Sequence, residues 1–574
     1  MKKIPSQEKT PAFFAILSVA VLLGIFLRSY LLGDQVLIDD EWHGFYYALG
    51  KSPFWLLTHF SVPGATCIPL NFYSWLLGAT VGWTETLLRL PSWICGVLCV
   101  LACPLLARRI VGGERAALLA LLLAFSPLLI FYSRICRPYS AVVFLGFAAL
   151  LLAARWKESG TLRCGIGFAI AGVLAVYFHL FAAVTVGAPV LAALVSEGYS
   201  RLRKSKSTAA GPPLWQWLVI AGGMALAGAI LVLPALVDSM RSTFFNIAMR
   251  GVLDWHSLPR IAALMSGTGQ PVLIVLFWLL LALGAREQLR RNRWFAGMLL
   301  SLYPLHAIAV VLSRPDAAQS AIVLTRYCIP LVPVSLLFVA CGLLGVLEFL
   351  ATRMALRPVL QTTLALVYIV AVAFAGPLPQ TYLAPNNFTS HGAFQHRYGL
   401  IDWSHSFSSD LITPDFMVNT VVRAGELSPF YVGLAKSPGS RPVVEYPMMI
   451  GDHFNLLYYY QHFDQRPVIV GYETDVTLGS GLAAGNVFGN TFIDQVLTLA
   501  PDKSKLKFRN MLSMDDLAAM RARQVEFIIL HKKFEAELPA ITNPLPDLER
   551  LQHDYTIKIG PPFYEDANIT VFRL

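Results

Sequence analysis

The run "PAFFAILSVAVLLGIFLRSYLL", Pro11–Leu32, is followed a few residues later by "LIDDEWHGFYYAL", Leu37–Leu49. The first stretch reaches Arg28 before it meets a charge, and at about 20 residues per bilayer crossing it is long enough to span one. The second puts three consecutive carboxylates, Asp39, Asp40 and Glu41, where the chain leaves the membrane, beside aromatic residues that suit an interface. A carboxylate in such a partly dry place is costly unless it is paired or used. The apolar run exceeds a signal-peptide core and no small-residue cleavage site follows it, so it is expected to remain as an anchor.

Further runs of crossing length lie near 87–107, 115–132, 138–155, 214–237, 271–285, 294–313, 327–350 and 357–377, and 164–198 has room for two. Eleven spans are expected. With 56% apolar residues and a mean hydropathy of +0.58, the composition excludes a purely soluble globular protein. Lys2, Lys3 and Lys9 precede the first span. Later basic clusters fall in alternate loops: Arg108/Arg109/Arg115, Arg155/Lys157/Arg163, Arg201/Arg203/Lys204/Lys206, Arg286/Arg290/Arg291/Arg293 and Arg353/Arg357. The positive-inside rule makes these loops and the N-terminus cytoplasmic. An odd number of spans then places residues 378–574, and the carboxylate loop, outside.

Residues 1–377 carry 29 Lys and Arg against 14 Asp and Glu, and residues 378–574 carry 16 against 21; the two net charges, +15 and −5, sum to the chain's +10. The basic excess therefore reports topology, and no nucleic-acid partner is expected. All eight Cys precede residue 342, mostly in apolar runs, where a thiol acts as a small hydrophobe. Neither a disulfide framework nor a zinc spacing is visible, although Cys67 and Cys136 fall near the same face and are a candidate pair.

Two domains are expected: membrane-spanning 1–377 and extracytoplasmic 378–574. The loop 33–86 is long and contains "SPFWLLTHF" and "PLNFYSWLLGATVGW", read as two amphipathic interfacial helices. A second outer loop runs from about Asp238 to Gln270. After residue 378 the strand-like runs "RPVVEYP", "RPVIVGY", "VEFIILH" and "ITVFRL" alternate with the helical "FNLLYYYQHF" and "SMDDLAAMRARQ", the pattern of a small α/β domain.

The segment "FSPLLIFYSRICRPYSAVVFL", Phe125–Leu145, puts Arg134 and Arg137 at the outer ends of the third and fourth spans, against the positive-inside bias. They need another partner. A phosphate suits Arg's planar fork, and an ion pair with the acidic loop is the other reading. Arg326 in "LTRYCIP" repeats the pattern at the start of the tenth span. His179 in "VYFHLF" reads as a turn residue between two spans.

These stretches carry a resemblance. "DDEWHGFYYAL", the segment running from "IPLNFYSWLL" to "RICRPYS", and "TRYCIPLVP" resemble bacterial membrane glycosyltransferases of the GT-C fold, the group of the dolichyl-phosphate-mannose protein mannosyltransferases and aminoarabinose transferases. The resemblance covers residues 10–180 and the tenth span. It implies a polytopic α-helical membrane protein of GT-C type, in the inner membrane, that takes a sugar from a polyprenyl-phosphate carrier and gives it to a glycan, lipid or protein acceptor. It implies Asp40 as catalytic base with Glu41 beside it; the residues themselves put Arg137, Arg326 and Arg134, with Tyr139 and Tyr327, around the donor phosphate. Asp39 is then a solvated neighbour. Where family members carry an acid before the Arg-Pro-Tyr motif, this chain has Ile135 and Cys136.

The residues alone reach a compatible chemistry. An outward-facing site has no nucleotide sugars, so an activated sugar must arrive on a membrane carrier. A carboxylate takes the acceptor's proton, and fixed cations stabilise a departing phosphate better than a general acid would. Adjacent Asp and Glu oxygens would suit magnesium or manganese, but the arginines neutralise phosphate without one, and no metal or other cofactor is expected. A transporter of lipid-linked sugar is the rival from another class. Against it, the charges gather at one face and no repeated halves are visible.

Overall fold

The computed structural model describes residues 10–33, 41, 51–60, 67–202, 211–249, 257–313, 321–354, 358–383, 397–398, 401–402, 428–436, 441, 443–446, 514–522, 524–532 and 548–574. The chain divides into two compact units. Among the described residues the first takes in 10–32 and 51–383. The second takes in Gly33, Glu41 and the described residues from Arg397 onward. The acidic segment's Glu41 groups with the second unit.

The first unit is helical throughout. Its elements are α1 (Thr10–Ser29), α2 (Pro53–Thr58), α3 (Ile68–Ala79), α4 (Glu85–Val111), α5 (Gly113–Phe125), α6 (Pro127–Ser133), α7 (Tyr139–Ser159), α8 (Leu162–Phe178), α9 (Ala182–Leu202) and α10 (Leu214–Met249). Then follow α11 (Ser257–Ser266), α12 (Pro271–Arg291), α13 (Arg293–Ser313), α14 (Ala321–Cys328), α15 (Leu331–Met354), α16 (Pro358–Phe374) and α17 (Leu378–Leu383).

Each of the eleven expected spans is a helix, but not all are equal. Among the described residues eight are long and apolar enough to cross a bilayer, within α1, α4, α7, α9, α10, α12, α13 and α15. The third expected span is a broken one: α5 and α6 meet at 61°. Ser126 has extended backbone, and Pro127 opens α6, where a missing N–H costs nothing but where an unbroken helix would lose a bond. Two more are short and apolar, α8 and the Thr363–Phe374 part of α16. The tenth span begins at Leu331 and not at 327, because Arg326 and Tyr327 belong to the separate short helix α14. Many apolar side chains on these helices, such as Leu22, Leu226 and Val275, are exposed, as expected where lipid is the solvent. The chain is a multi-pass α-helical membrane protein with a C-terminal α/β domain.

Two features fix the bundle. Where α12 and α15 cross, a Cβ on Gly284 would run into the carbonyl oxygen of Phe338 and one on Gly342 into that of Leu280. The two backbones touch because neither residue has a side chain, the small-residue packing that lipid favours. Near the ends of α5, α12 and α15, Arg115 pairs with Glu287 and Glu348 at 2.9 Å each, and Arg291 reaches Glu287 at 2.8 Å. Helices α2 and α3 form in the loop read as amphipathic. All eight cysteines are free, Cys67 and Cys136 among them, so the candidate disulfide is not formed.

In the second unit β1 (Arg397–Tyr398) and β2 (Ile401–Asp402) form an antiparallel pair. A four-stranded sheet comprises β3 (Val443–Tyr446), β4 (Phe527–His531), β5 (Tyr564–Glu565) and β6 (Ile569–Arg573), with α18 (Pro429–Lys436), α19 (Met514–Ala522) and α20 (Leu548–Lys558) beside it. Its order is β3-β4-β6-β5, parallel between β3 and β4 and antiparallel elsewhere. Strand β4 is buried along its whole length. Ile528 and Leu530 join Val444 and Phe572 against Leu517 and Met520 of α19 and Leu551 and Tyr555 of α20. The opposite face sets Phe527 5.3 Å from Phe430 of α18. Alternation along one strand thus builds a three-layer domain. The expected strand in "RPVIVGY" and helix in "FNLLYYYQHF" lie outside the described residues.

Candidate functional site

The site is built from the ends of helices. Tyr139 is the first residue of α7 and is 3% exposed, with its ring edge-on to Tyr132 at 5.0 Å. It is a fixed wall. Two residues before it, Arg137 has its backbone held: its N–H donates to Ile135 O at 2.8 Å, and the Ser92 hydroxyl of α4 donates to its carbonyl at 2.9 Å. The Arg137 guanidinium carbon sits 5.8 Å from the centre of the Tyr139 ring. Arg326, from α14, sits 6.0 Å from the same ring and 5.3 Å from that of Tyr327. Two guanidiniums from distant parts of the sequence thus share one aromatic ring, within the reach of a cation–π attraction. Each also makes a long 3.5 Å contact to a phenol oxygen, Arg137 to Tyr139 and Arg326 to Tyr327.

His179 joins them. It ends α8 with extended backbone, which confirms a turn between two helices, but its ring lies 5.9 Å from Tyr139 and 6.4 Å from Tyr327. Burial, then the charges of Arg137 and Arg326, pull its pKa from the usual imidazole range down to about 3, so the ring is neutral at physiological pH. Phe181 carries the aromatic contact onward, 5.5 Å from Tyr327 and 6.1 Å from His306. Cys67, just before α3, is buried; burial pushes its thiol up to about 12, against the opposing pull of the Leu70 N–H and the Arg137 charge.

Arg134 is placed differently. It is 1% exposed, and its Nη1 donates to the carbonyl of Arg28 at 2.9 Å and, more weakly, to that of Leu27 at 3.4 Å. Both carbonyls belong to the last turn of α1, which has no helical donor for them. Arg89 donates to Leu32 O at 2.9 Å, and the Tyr382 hydroxyl donates to Leu27 O. Three side chains therefore hold the end of α1, from which the acidic segment continues. The positive-inside argument that singles out Arg134 and Arg137 applies equally to Arg28 and Arg89 and would have found them.

Glu41 has no exposed surface. Asp40 and Asp39 lie outside the described residues. Among the described residues no group of three or more His, Cys, Asp or Glu is placed to hold a metal ion. The structure brings together Arg137, Arg326, Tyr139 and Tyr327 of the expected phosphate ligands, adds His179, and sets Arg134 against α1.

The sequence model of the family described as dolichyl-phosphate-mannose-protein mannosyltransferase matches residues 68–212. No curated protein matches the chain. Among solved structures, ArnT from Cupriavidus metallidurans is 13% identical in its apo state, with 99% of this chain and 98% of that one covered and a TM-score of 0.49. The same protein bound to undecaprenyl phosphate gives 13%, 98% of each chain and 0.49. The archaeal oligosaccharyltransferase AglB from Archaeoglobus fulgidus, in complex with an inhibitory peptide and a dolichol-phosphate, gives 16%, with 92% of this chain and 70% of that one covered, and 0.42. Across the helices that carry Arg134, Arg137, Tyr139 and His179, the chain is similar to the dolichyl-phosphate-mannose-protein mannosyltransferases, membrane glycosyltransferases of the GT-C fold.

Proposed function

We propose that the protein moves a hexosyl or pentosyl group from a polyprenyl-phosphate carrier to a glycan, lipid or protein acceptor at the outer face of the inner membrane. The observation that carries this reading is that Arg137 and Arg326 both reach the ring of Tyr139, at 5.8 and 6.0 Å from its centre. Two fixed cations with forked donors fit a phosphate that gains negative charge as its sugar departs. The match to the mannosyltransferase family over residues 68–212 supports the same chemistry.

Asp40 accepts the proton of the acceptor's hydroxyl or amine while that atom forms a bond to the anomeric carbon. The bond from that carbon to the phosphate oxygen breaks in the same step, its electron pair stays on the phosphate, and the sugar is inverted. Arg137 and Arg326 hold the released polyprenyl phosphate. Glu41 orients the acceptor or an arginine, and Arg134 braces the end of α1. The N-terminus is cytoplasmic and the C-terminal domain lies outside.

Lipid extracts from cells lacking the protein test this reading. One lipid-linked sugar should accumulate while one envelope glycan, lipid or protein loses the corresponding residue. An unchanged set of lipid-linked sugars would overturn it.

A further inference from the structure

His179 reads from sequence as a turn residue, but its hydrogen bonds give it a defined chemical state. The backbone N–H of Phe181 donates to its Nδ1 at 3.2 Å. An imidazole nitrogen that accepts has no proton, so the one proton of the neutral ring is on Nε2. The backbone that carries the ring is fixed as well: the His179 N–H donates to Ala175 O at 3.0 Å, and its carbonyl accepts from Ala182 N at 2.9 Å. The rings of Tyr139 and Tyr327 flank it, and both guanidiniums act on it electrostatically. It is only partly covered, and among the described residues no group takes the hydrogen bond of its distal nitrogen.

We propose that His179 is a further donor-binding residue, whose Nε2–H hydrogen-bonds a phosphate oxygen of the carrier seated between Arg137 and Arg326. This rests on the phosphate reading of those two arginines. A third cation at this place would be repelled by the first two. A neutral N–H adds a directed hydrogen bond to the anion without adding charge, and the Phe181 N–H selects the tautomer that can do so.

Binding of undecaprenyl phosphate, and of undecaprenol as the phosphate-free probe, to the purified full-length protein in detergent tests this. His179→Asn keeps an oxygen able to accept the Phe181 N–H but loses the distal donor, whereas His179→Gln returns an amide N–H near Nε2. The Asn variant should bind undecaprenyl phosphate about tenfold more weakly, with undecaprenol binding unchanged, and the Gln variant should recover most of the loss. Wild-type affinity in the Asn variant, or equal weakening for both probes, would overturn the proposal. Arg137→Ala and Arg326→Ala, measured alongside, separate the two claims. If they weaken phosphate binding and His179→Asn does not, His179 alone is misassigned; if they change nothing, the phosphate reading itself fails. Should His179→Asn not fold, nitrogen-15 histidine spectra of the wild type carry the test. The Nε2–H signal missing from His179→Gln should shift on adding undecaprenyl phosphate and not undecaprenol, and no shift would overturn the proposal.

Discussion

Arg28 closes the end of α5, and Arg134, at the end of α6, closes the end of α1 that carries Arg28. Arg28, near the end of α1, donates from Nη2 to Leu123 O at 3.1 Å and from Nη1 to Ala124 O at 3.3 Å, two carbonyls left open where α5 breaks. Arg134, just past α6, donates back to the carbonyl of Arg28 itself at 2.9 Å. The bend in the third span and the end of the first are thereby one structural unit. Both guanidiniums are 1% exposed, and helix-end carbonyls buried without donors are costly.

Arg134→Met should therefore lower stability, by about 1.5–3 kcal/mol for the charged hydrogen bonds lost, with Arg28→Met behaving alike. In the fraction that stays folded, undecaprenyl phosphate affinity should be near that of wild type. A brace and a phosphate ligand are separated by measuring melting temperature and affinity on the same sample: a large affinity loss at unchanged melting temperature would return Arg134 to the phosphate site.

The α12–α15 crossing makes a second expectation. Gly342→Ala sets a methyl group against the carbonyl oxygen of Leu280 and the backbone of Gly284, neither of which is a flexible side-chain end. Forcing the helices apart should cost about 1–3 kcal/mol, read as earlier thermal unfolding in detergent. Gly297→Ala on α13, where a Cβ would meet nothing within 4 Å, is the control and should leave unfolding unchanged.

In the second unit Asp566 predicts acid sensitivity. Burial disfavours its charge, but hydrogen bonds from the Ser428 hydroxyl, the backbone N–H groups of Asn568 and Ile569, and the Tyr564 hydroxyl outweigh this and hold its carboxyl below the usual range. A lowered folded-state value means the stabilisation is complete above the unfolded value, near about 4, and is lost as pH falls through the folded one. Hydrogen exchange across residues 564–573, corrected for intrinsic rates, should show protection falling below about pH 4. Asp566→Asn should weaken the β5–β6 pair at neutral pH and flatten that response; an unaltered acid response would contradict the assignment.

The membrane helices were legible because a bilayer demands a long apolar run, and each of the eleven runs is helical. What the runs hide is length and continuity. Pro127 marks the break between α5 and α6, but hydropathy passes through it, and the aromatic Tyr327 blends α14 into the span that follows. Strands β4 and β6 show in "VEFIILH" and "ITVFRL" because β-branched and aromatic residues suit a buried sheet. Helix α20, "LERLQHDYTIK", buries only one narrow stripe, including Leu551 and Tyr555, and is overlooked among charges. At the site, Arg137 and Arg326 were legible as arginines on the wrong side of a charge rule. Their meeting over Tyr139 and the brace made by Arg134 depend on which helix ends approach in space, which no local pattern encodes; the tautomer of His179 is set locally, by the Phe181 N–H two residues on.

The most direct measurement is of the acid that the segment 37–49 supplies. Purified protein in proteoliposomes is given the lipid-linked sugar that accumulates in cells lacking it, together with acceptor, and the release of free polyprenyl phosphate is followed. Wild type should release it in step with glycosylated acceptor. Asp40→Asn, nearly isosteric, should keep carrier binding and slow release by about a hundredfold or more, while Asp39→Asn should do far less. Full activity in Asp40→Asn, or carriers that cross the bilayer with their sugar still attached, would contradict glycosyl transfer with Asp40 as base.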